Sequence, residues 1–157
     1  MSKSLKRVET ALADAGQTVR IVEMPGSTRT AEEAAAAAGC AIDQIAKSII
    51  FRGEDTGHVV LFITAGGNRV DPARASALAG QPLGRADADL VRAETGFAIG
   101  GVAPVGLIAP VQAFFDPRLL EFDVVWAAAG TPRHVFAIDP RKLLEITAAT
   151  RADFVQG

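Results

Sequence analysis

The first part of the chain changes from helical to extended spacing of its apolar residues. Apolar residues recur at helical intervals at Leu5, Val8, Leu12 and Ala15. This spacing predicts a helix that Ser4 caps and Gly16 ends. The segment Thr18–Glu23 alternates weakly, which predicts a strand. Thr30 and Glu33 then form the T-x-x-E pattern of a capping box, which predicts an alanine-rich helix that a glycine ends.

Strands and helical segments that begin at aspartate, three of them at Asp-Pro pairs, fill the rest of the chain. Strands are predicted at Lys47–Phe51, His58–Thr64, Val111–Phe115, Val124–Ala128 and His134–Ile138. Helices or helical turns are predicted at Asp43–Ala46, Asp71–Ala79, Asp87–Glu94, Asp116–Leu120 and Asp139–Ile146. Because these elements do not follow a βαβ order, the pattern predicts one α+β domain over residues 1–157. We expect a mixed, mostly antiparallel sheet flanked by helices.

Composition indicates a globular protein and argues against several kinds of site. Of the 157 residues, 49% are hydrophobic, and the net charge of −2 provides no overall basic field for nucleic acid. Cys40, His58 and His134 form no cluster with metal-ligand spacing, so we expect neither a metal nor a cofactor. The polar start is unlike a signal peptide, and no apolar run is long enough for a membrane span. Because the one cysteine cannot form an internal disulfide, we expect a cytoplasmic protein. We expect no membrane partner, and the oligomeric state stays open.

Lys47 is the strongest single candidate for chemistry, because its surroundings are mostly apolar: Ile45, Ile49, Ile50 and Phe51. A partly desolvated ammonium can neutralise a phosphate or orient an ester carbonyl. The alternative is an ordinary strand lysine, whose stem packs on the sheet while its amine reaches water.

The segment Gly100–Gly106 is a distinctive loop, with three glycines and Pro104 in seven residues. Glycine permits a positive φ and close backbone approach, whereas proline fixes φ and lacks an N–H donor. Such a sequence excludes a regular helix or a central strand. Backbone amides near Gly101 and Val102 can bind an anion or a developing oxyanion. The alternative is a tight buried turn between two core elements.

Three other polar residues give weaker signals. Ser48 follows Lys47, but the chain has no G-x-S-x-G motif to support a serine nucleophile. Arg69 follows a glycine pair that lacks the lysine of a Walker A loop, so it is a candidate phosphate contact beside a simple turn. His134 is either a polar contact in a pocket or a hydrogen-bonded histidine of an edge strand.

Three segments, taken in order, resemble the YbaK/EbsC family, also called the prolyl-tRNA-editing or ProX family of aminoacyl-tRNA deacylases. They are Ala46-Lys47-Ser48 before an apolar strand, the G-x-x-x-P loop at Gly100–Gly106, and Ala129-Gly130-Thr131-Pro132 followed by a strand and Asp139-Pro140. The resemblance covers about Arg20 to Ile146. It implies a YbaK-like domain with a partly barrel-like sheet. It also implies metal-independent hydrolysis of the ester between a wrong amino acid and tRNA, often tRNA(Pro) carrying alanine or cysteine.

Carried onto this chain, the resemblance implies a catalytic set of Lys47, Gly100 and Gly101. Lys47 would hold the 3′-terminal nucleotide or the ester carbonyl, and the two glycine amides would stabilise the oxyanion. Candidate substrate contacts are Ser48, Val102, Pro104, His134 and Arg69. The partner would be the acceptor end of a mischarged aminoacyl-tRNA. The chain contains no tyrosine, which some relatives place in the N-terminal strand, and this leaves the catalytic partner of Lys47 open.

Two other functions are compatible with the same residues. A non-catalytic module would bind a nucleotide or an RNA end in the same groove, and an interaction domain would use Lys47 only structurally. The editing hypothesis requires the Lys47 amine and the amides of Gly100 and Gly101 to line one cleft. It fails if they lie on opposite sides of the sheet.

Overall fold

Five helices and eight strands form the part of the chain that the computed structural model describes, residues 2–157. The helices are α1 Lys3–Asp14, α2 Ala31–Ala38, α3 Pro72–Ala79, α4 Ala88–Thr95 and α5 Pro140–Thr147, with 3₁₀ turns at Ile42–Gln44 and Pro117–Glu121. The strands are β1 Ile21–Glu23, β2 Ile45–Gly53, β3 Val59–Ala65, β4 Leu83–Arg85, β5 Gln112–Phe115, β6 Val125–Ala128, β7 His134–Ile138 and β8 Thr150–Arg151. None of these helices has the length and apolar character needed to cross a membrane.

All eight strands belong to one mixed sheet with the order β1-β7-β6-β2-β3-β5-β8, in which β4 also pairs with β2. The pairs β1–β7, β6–β7, β2–β3 and β2–β4 are antiparallel, and β2–β6, β3–β5 and β5–β8 are parallel. The predicted α+β class with a mostly antiparallel sheet is confirmed. The sequence pattern missed β4 and β8, which have only three and two residues.

Strand β2 has two different neighbours along one edge, and this creates an opening. Its start, Ile45 and Ala46, pairs with β6, whereas its end, Phe51–Gly53, pairs with β4. Its other edge pairs with β3 along almost its whole length. In the described chain, residues 47–50 therefore have a strand on one side only. The segment that contains Lys47 thus borders a gap in the sheet.

Alternation along the fully buried β3 builds a core on each face of the sheet. Leu61 and Ile63 belong to the larger core, which includes buried residues of α1 and of the loop Gly100–Gly106. Phe62 points to the opposite face, where its ring centroid lies 5.2 Å from that of Phe114 and 5.0 Å from that of Phe154. Burial on both faces makes β3 a rigid support for β2.

Most helix starts use the predicted caps, with one exception. Thr30 and Glu33 form the capping box of α2. Aspartate caps accept amide hydrogen bonds at the starts of α3, α4 and α5, at Asp71, Asp87 and Asp139. In α1 the predicted cap Ser4 is wrong, because the Ser2 hydroxyl accepts the hydrogen bond from the Leu5 amide. The helix begins at Lys3, which places Ser4 within its first turn.

Candidate active site

A cavity of about 370 Å³ lies at the open edge of β2. Its other walls include strand β6, helix α2 and the loop Gly100–Gly106. Four of the residues predicted as site residues line it: Lys47, Ser48, Gly100 and Val102. Lys47 and Gly100 therefore share one cleft, as the editing hypothesis requires for these two residues.

The Lys47 amine is half-buried and is oriented by a backbone carbonyl. Its Nζ donates to the Gly66 carbonyl oxygen at 3.1 Å. Burial is the largest influence on its pKa and lowers it below that of an ordinary lysine. The nearby charge of Glu32 raises this pKa in part, whereas that of Arg69 lowers it. Because an ammonium has three donors, the bond to Gly66 leaves others available to a ligand.

The turn Ala65–Asn68, which we call the clamped turn, presents that carbonyl and is held by two carboxylates. Asp43 accepts from the Gly67 amide at 2.8 Å. The buried Asp116 accepts from the Ala65 amide at 3.1 Å and from the Asn68 side chain at 2.9 Å. These bonds connect three separate segments of sequence at one turn, so they fix the acceptor of Lys47.

Side-chain packing also restricts the clamped turn. A Cβ on Gly66 would collide with the carbonyl oxygen of Ile42, and a Cβ on Gly67 would collide with the Asp43 carboxylate. The Arg118 guanidinium donates to the second oxygen of Asp43 at 3.0 Å. The side of this turn that faces Ile42 and Asp43 is therefore closely packed.

The loop Gly100–Gly106, which we call the amide loop, is held from outside the cavity by Arg7. The guanidinium of Arg7 donates to the Gly96 carbonyl at 2.6 Å and to the Gly106 carbonyl at 3.2 Å. It also lies over the Phe97 ring, 4.8 Å from the centroid. These contacts hold the end of the amide loop and the residue four positions before its start. The first residue of the loop, Gly100, lies at the cavity wall.

Several amides of the amide loop have no acceptor within residues 2–157. Two of them belong to Gly100 and Val102, which line the cavity. The amide of Gly101, in contrast, donates to the Ala98 carbonyl at 3.1 Å. Unpaired backbone donors at the wall of a partly enclosed site suit an anion or an oxyanion. Gly100 and Val102, rather than Gly101, are therefore the residues that place unpaired donors at the cavity wall.

The hydroxyl of Ser48 is a further unsatisfied polar group at this site. Its Oγ is buried and has no hydrogen-bond partner among the described residues. A buried hydroxyl without a partner is unfavourable by roughly 1–3 kcal/mol. A polar atom of a ligand in the cavity would remove this deficit.

The structure does not bring four of the predicted residues to the cavity. Gly101 and Pro104 are buried within the amide loop, and Arg69 is exposed outside the cavity lining. The ring of His134 lies 2.6 Å from the Thr131 hydroxyl, measured from Nδ1. Since side chains alternate along a strand, it is the next residue, Val135, that lines the cavity.

Sequence reasoning missed several residues that line the cavity: Arg29, Glu32, Ile99, Trp126 and Val135. Arg29 and Glu32 flank the predicted cap of α2, where charged residues are usually solvated surface. Only long-range packing places them opposite β2. No group of three or more His, Cys, Asp or Glu in residues 2–157 is arranged to hold a metal ion.

The family is shown by a match over most of the chain. Residues 26–146 match the family model of the aminoacyl-tRNA editing domain. The chain therefore belongs to this family, the YbaK family, and the resemblance drawn from the sequence is confirmed.

Similar proteins cover nearly the whole chain. YwhH of Bacillus subtilis, an uncharacterized protein, is 31% identical over 144 residues, which are 92% of this chain and 91% of YwhH. A solved structure described as that of a proposed trans-editing enzyme for prolyl-tRNA synthetase has 47% identity and a TM-score of 0.92, covering 100% of this chain and 99% of its own. The hypothetical protein APE2540 has 33% identity and a TM-score of 0.87, covering 96% of this chain and 99% of its own.

Proposed function

We propose that this protein forms one editing domain and is a trans-acting aminoacyl-tRNA deacylase, which hydrolyses the ester of mischarged tRNA. As substrate we propose tRNA(Pro) that carries a non-cognate small amino acid such as alanine or cysteine. Family membership supports the deacylase, and the relative described as a proposed trans-editing enzyme for prolyl-tRNA synthetase supports the choice of tRNA. The observation that carries the proposal is the single cavity lined by both Lys47 and Gly100.

Each polar group of the cavity has a role in this proposal. The acceptor end enters at the open edge of β2, and a free N–H of Lys47 binds the carbonyl oxygen or the terminal nucleotide. The amides of Gly100 and Val102 stabilise the negative charge that develops on that oxygen. The Ser48 hydroxyl hydrogen-bonds the bound aminoacyl group.

The reaction is hydrolysis of an ester. Water adds to the carbonyl carbon and forms a tetrahedral oxyanion, and a hydroxyl of the terminal ribose assists in activating that water. The bond between the carbonyl carbon and the ribose oxygen then breaks, and the ribose oxygen takes up a proton. The products are the free amino acid and deacylated tRNA. The proposal assigns no role to a metal ion.

The test is a deacylation assay with tRNA(Pro) charged separately with alanine, cysteine, serine and proline. We expect the wild-type protein to release a non-cognate amino acid and Lys47→Ala to be slower by about 100-fold or more. Lys142→Ala is the matched control, because it removes an exposed lysine of α5 that lies outside the cavity.

The other outcomes are equally informative. Binding of the acceptor end by the wild-type protein without release of any amino acid would contradict the deacylase and favour a non-catalytic RNA-end module. Full activity of Lys47→Ala would contradict the assigned role of the lysine. Thermal unfolding of both variants shows whether they are folded.

A further inference from the structure

Glu32 is an acid that lines the cavity, and its carboxylate has no partner in residues 2–157. It lies in the first turn of α2. Its neighbour Glu33 completes the capping box, because its carboxylate accepts from the Thr30 amide at 3.2 Å. The start of the helix is therefore satisfied without Glu32, and this carboxylate is available to a ligand.

Glu32 and Lys47 share the cavity without forming an ion pair. The amine donates to the Gly66 carbonyl instead. After burial, which lowers the pKa of Lys47, the charge of Glu32 has the largest effect on it and raises it. A carboxylate and an ammonium thus line one cavity without pairing with each other, so both are available to a ligand group.

An aminoacyl ester carries charges that match this arrangement. Its α-ammonium is one carbon away from the ester carbonyl, whose oxygen becomes negative during hydrolysis. A carboxylate suits the ammonium, and a lysine with free amides suits the carbonyl oxygen. We propose that Glu32 binds the α-ammonium of the aminoacyl ester and restricts the site to esters with a free α-amino group.

This inference rests on the proposed function and adds a selection to it. Esters with a blocked amino group, such as peptidyl or acylated aminoacyl ends, give Glu32 no cation to bind. They also bring an amide into the space beside α2. The site would therefore distinguish aminoacyl ends from peptidyl ends through one carboxylate.

The test uses two ligands that cannot be hydrolysed and differ in one group. The first is a tRNA(Pro) acceptor-stem minihelix that ends in alanine joined through a 3′-amide. The second carries lactic acid in the same linkage, so a hydroxyl replaces the ammonium. Calorimetric titration measures the affinity of the wild-type protein, Glu32→Gln and Glu33→Gln for each of the two ligands. Glu33→Gln is the matched control, because it removes the same charge one residue away and glutamine keeps a capping box.

We expect the wild-type protein and Glu33→Gln to bind the alanyl ligand about tenfold more tightly than the lactyl ligand, as one charge-assisted hydrogen bond would give. Glu32→Gln should bind both ligands alike. A wild-type protein that does not distinguish them would overturn the inference. A preference for the alanyl ligand that Glu32→Gln retains would also overturn it. So would an equal loss of this preference in both glutamine variants, because that would assign the effect to the helix terminus.

Binding and turnover are measured separately, so the two proposals can fail separately. A Glu32-dependent preference without release of any amino acid would refute the deacylase and leave the ammonium site standing. Release of amino acid by a protein that binds both ligands equally would refute only the role of Glu32.

Discussion

Two glycine-containing loops border the cavity, and they differ in where their backbone hydrogen bonds go. In the clamped turn, amides donate to two carboxylates and a carbonyl accepts from Lys47. In the amide loop, the amides of Gly100 and Val102 have no acceptor within residues 2–157. Most polar groups of the clamped turn have partners inside the protein, whereas the amide loop has donors that only a ligand or water can satisfy.

This difference separates a structural role from a functional one. Buried polar groups in proteins are nearly always paired, so the paired groups of the clamped turn contribute to stability. Donors left unpaired at a cavity wall contribute little to folding and are available to a transition state. We therefore expect changes in the clamped turn to reduce stability first and changes in the amide loop to reduce activity first.

Asp116→Ala tests the clamped turn and has the largest expected effect on stability. The buried carboxylate accepts from the Ala65 amide and the Asn68 side chain, so alanine would leave these donors unsatisfied. We expect the free energy of unfolding, measured by urea titration, to fall by about 3 kcal/mol. Asp123→Ala is the control, because this exposed aspartate lies outside the turn. Equal stability of the two variants would contradict the clamp.

Gly100→Ala tests the amide loop, where the order of effects should reverse. Gly100 has a φ of 93°, so alanine there would cost about 1 kcal/mol of stability. Its Cβ would press on the Arg29 side chain, 3.2 Å away, and shift the loop amides. We expect deacylation to fall by about 100-fold, the usual effect of losing an oxyanion donor.

The control for Gly100→Ala is Gly16→Ala. Gly16 has a φ of 73°, and no atom lies within 4 Å of a Cβ added there. It carries similar backbone strain far from the cavity. Urea titration and deacylation rates are measured on both variants. Similar losses of activity in the two would show that strain, rather than the position of the amides, explains the effect.

Local patterns predicted most of the fold. Asp-Pro pairs and the capping box of Thr30 and Glu33 act over a few residues, and the structure contains each of them. The short strands β4 and β8 escaped prediction, because two or three residues carry no readable period. The cap of α1 was misplaced by two residues, since Ser2 and Ser4 are equally good caps by sequence.

The site was predictable only where one segment carried the signal. Lys47 and the amide loop stand out by composition, and both line the cavity. The sequence could not show whether His134 or Val135 lines the cavity, because alternate residues of a strand face opposite sides and the packing of the whole sheet decides which side is buried. The clamped turn depends on contacts that are distant in sequence: Asp43 is 24 positions from its partner Gly67, and Asp116 is 51 positions from its partner Ala65. No local pattern encodes such contacts.

The smallest expected effect concerns the charge on Lys47. Burial lowers the pKa of its amine, and the charge of Asp43 raises it in part. If the ammonium binds substrate, deacylation above the spontaneous rate falls as pH rises through this pKa, which lies below the ordinary 10.5. Asp43→Asn removes a negative charge and keeps an oxygen that can accept from the Gly67 amide. The pKa should then fall further, and the alkaline loss of activity should move to lower pH.

The direction of that movement distinguishes an electrostatic from a purely geometric role of the clamp. Asp55→Asn is the control, because it removes the same charge in the exposed hairpin loop and should leave the profile unchanged. A lower rate at every pH without any movement would mean that Asp43 only positions the turn. Movement to higher pH would contradict the ammonium as the active form, since losing a nearby carboxylate can only make that ammonium easier to deprotonate. Movement to lower pH would show that the clamped turn sets both the position and the charge of Lys47.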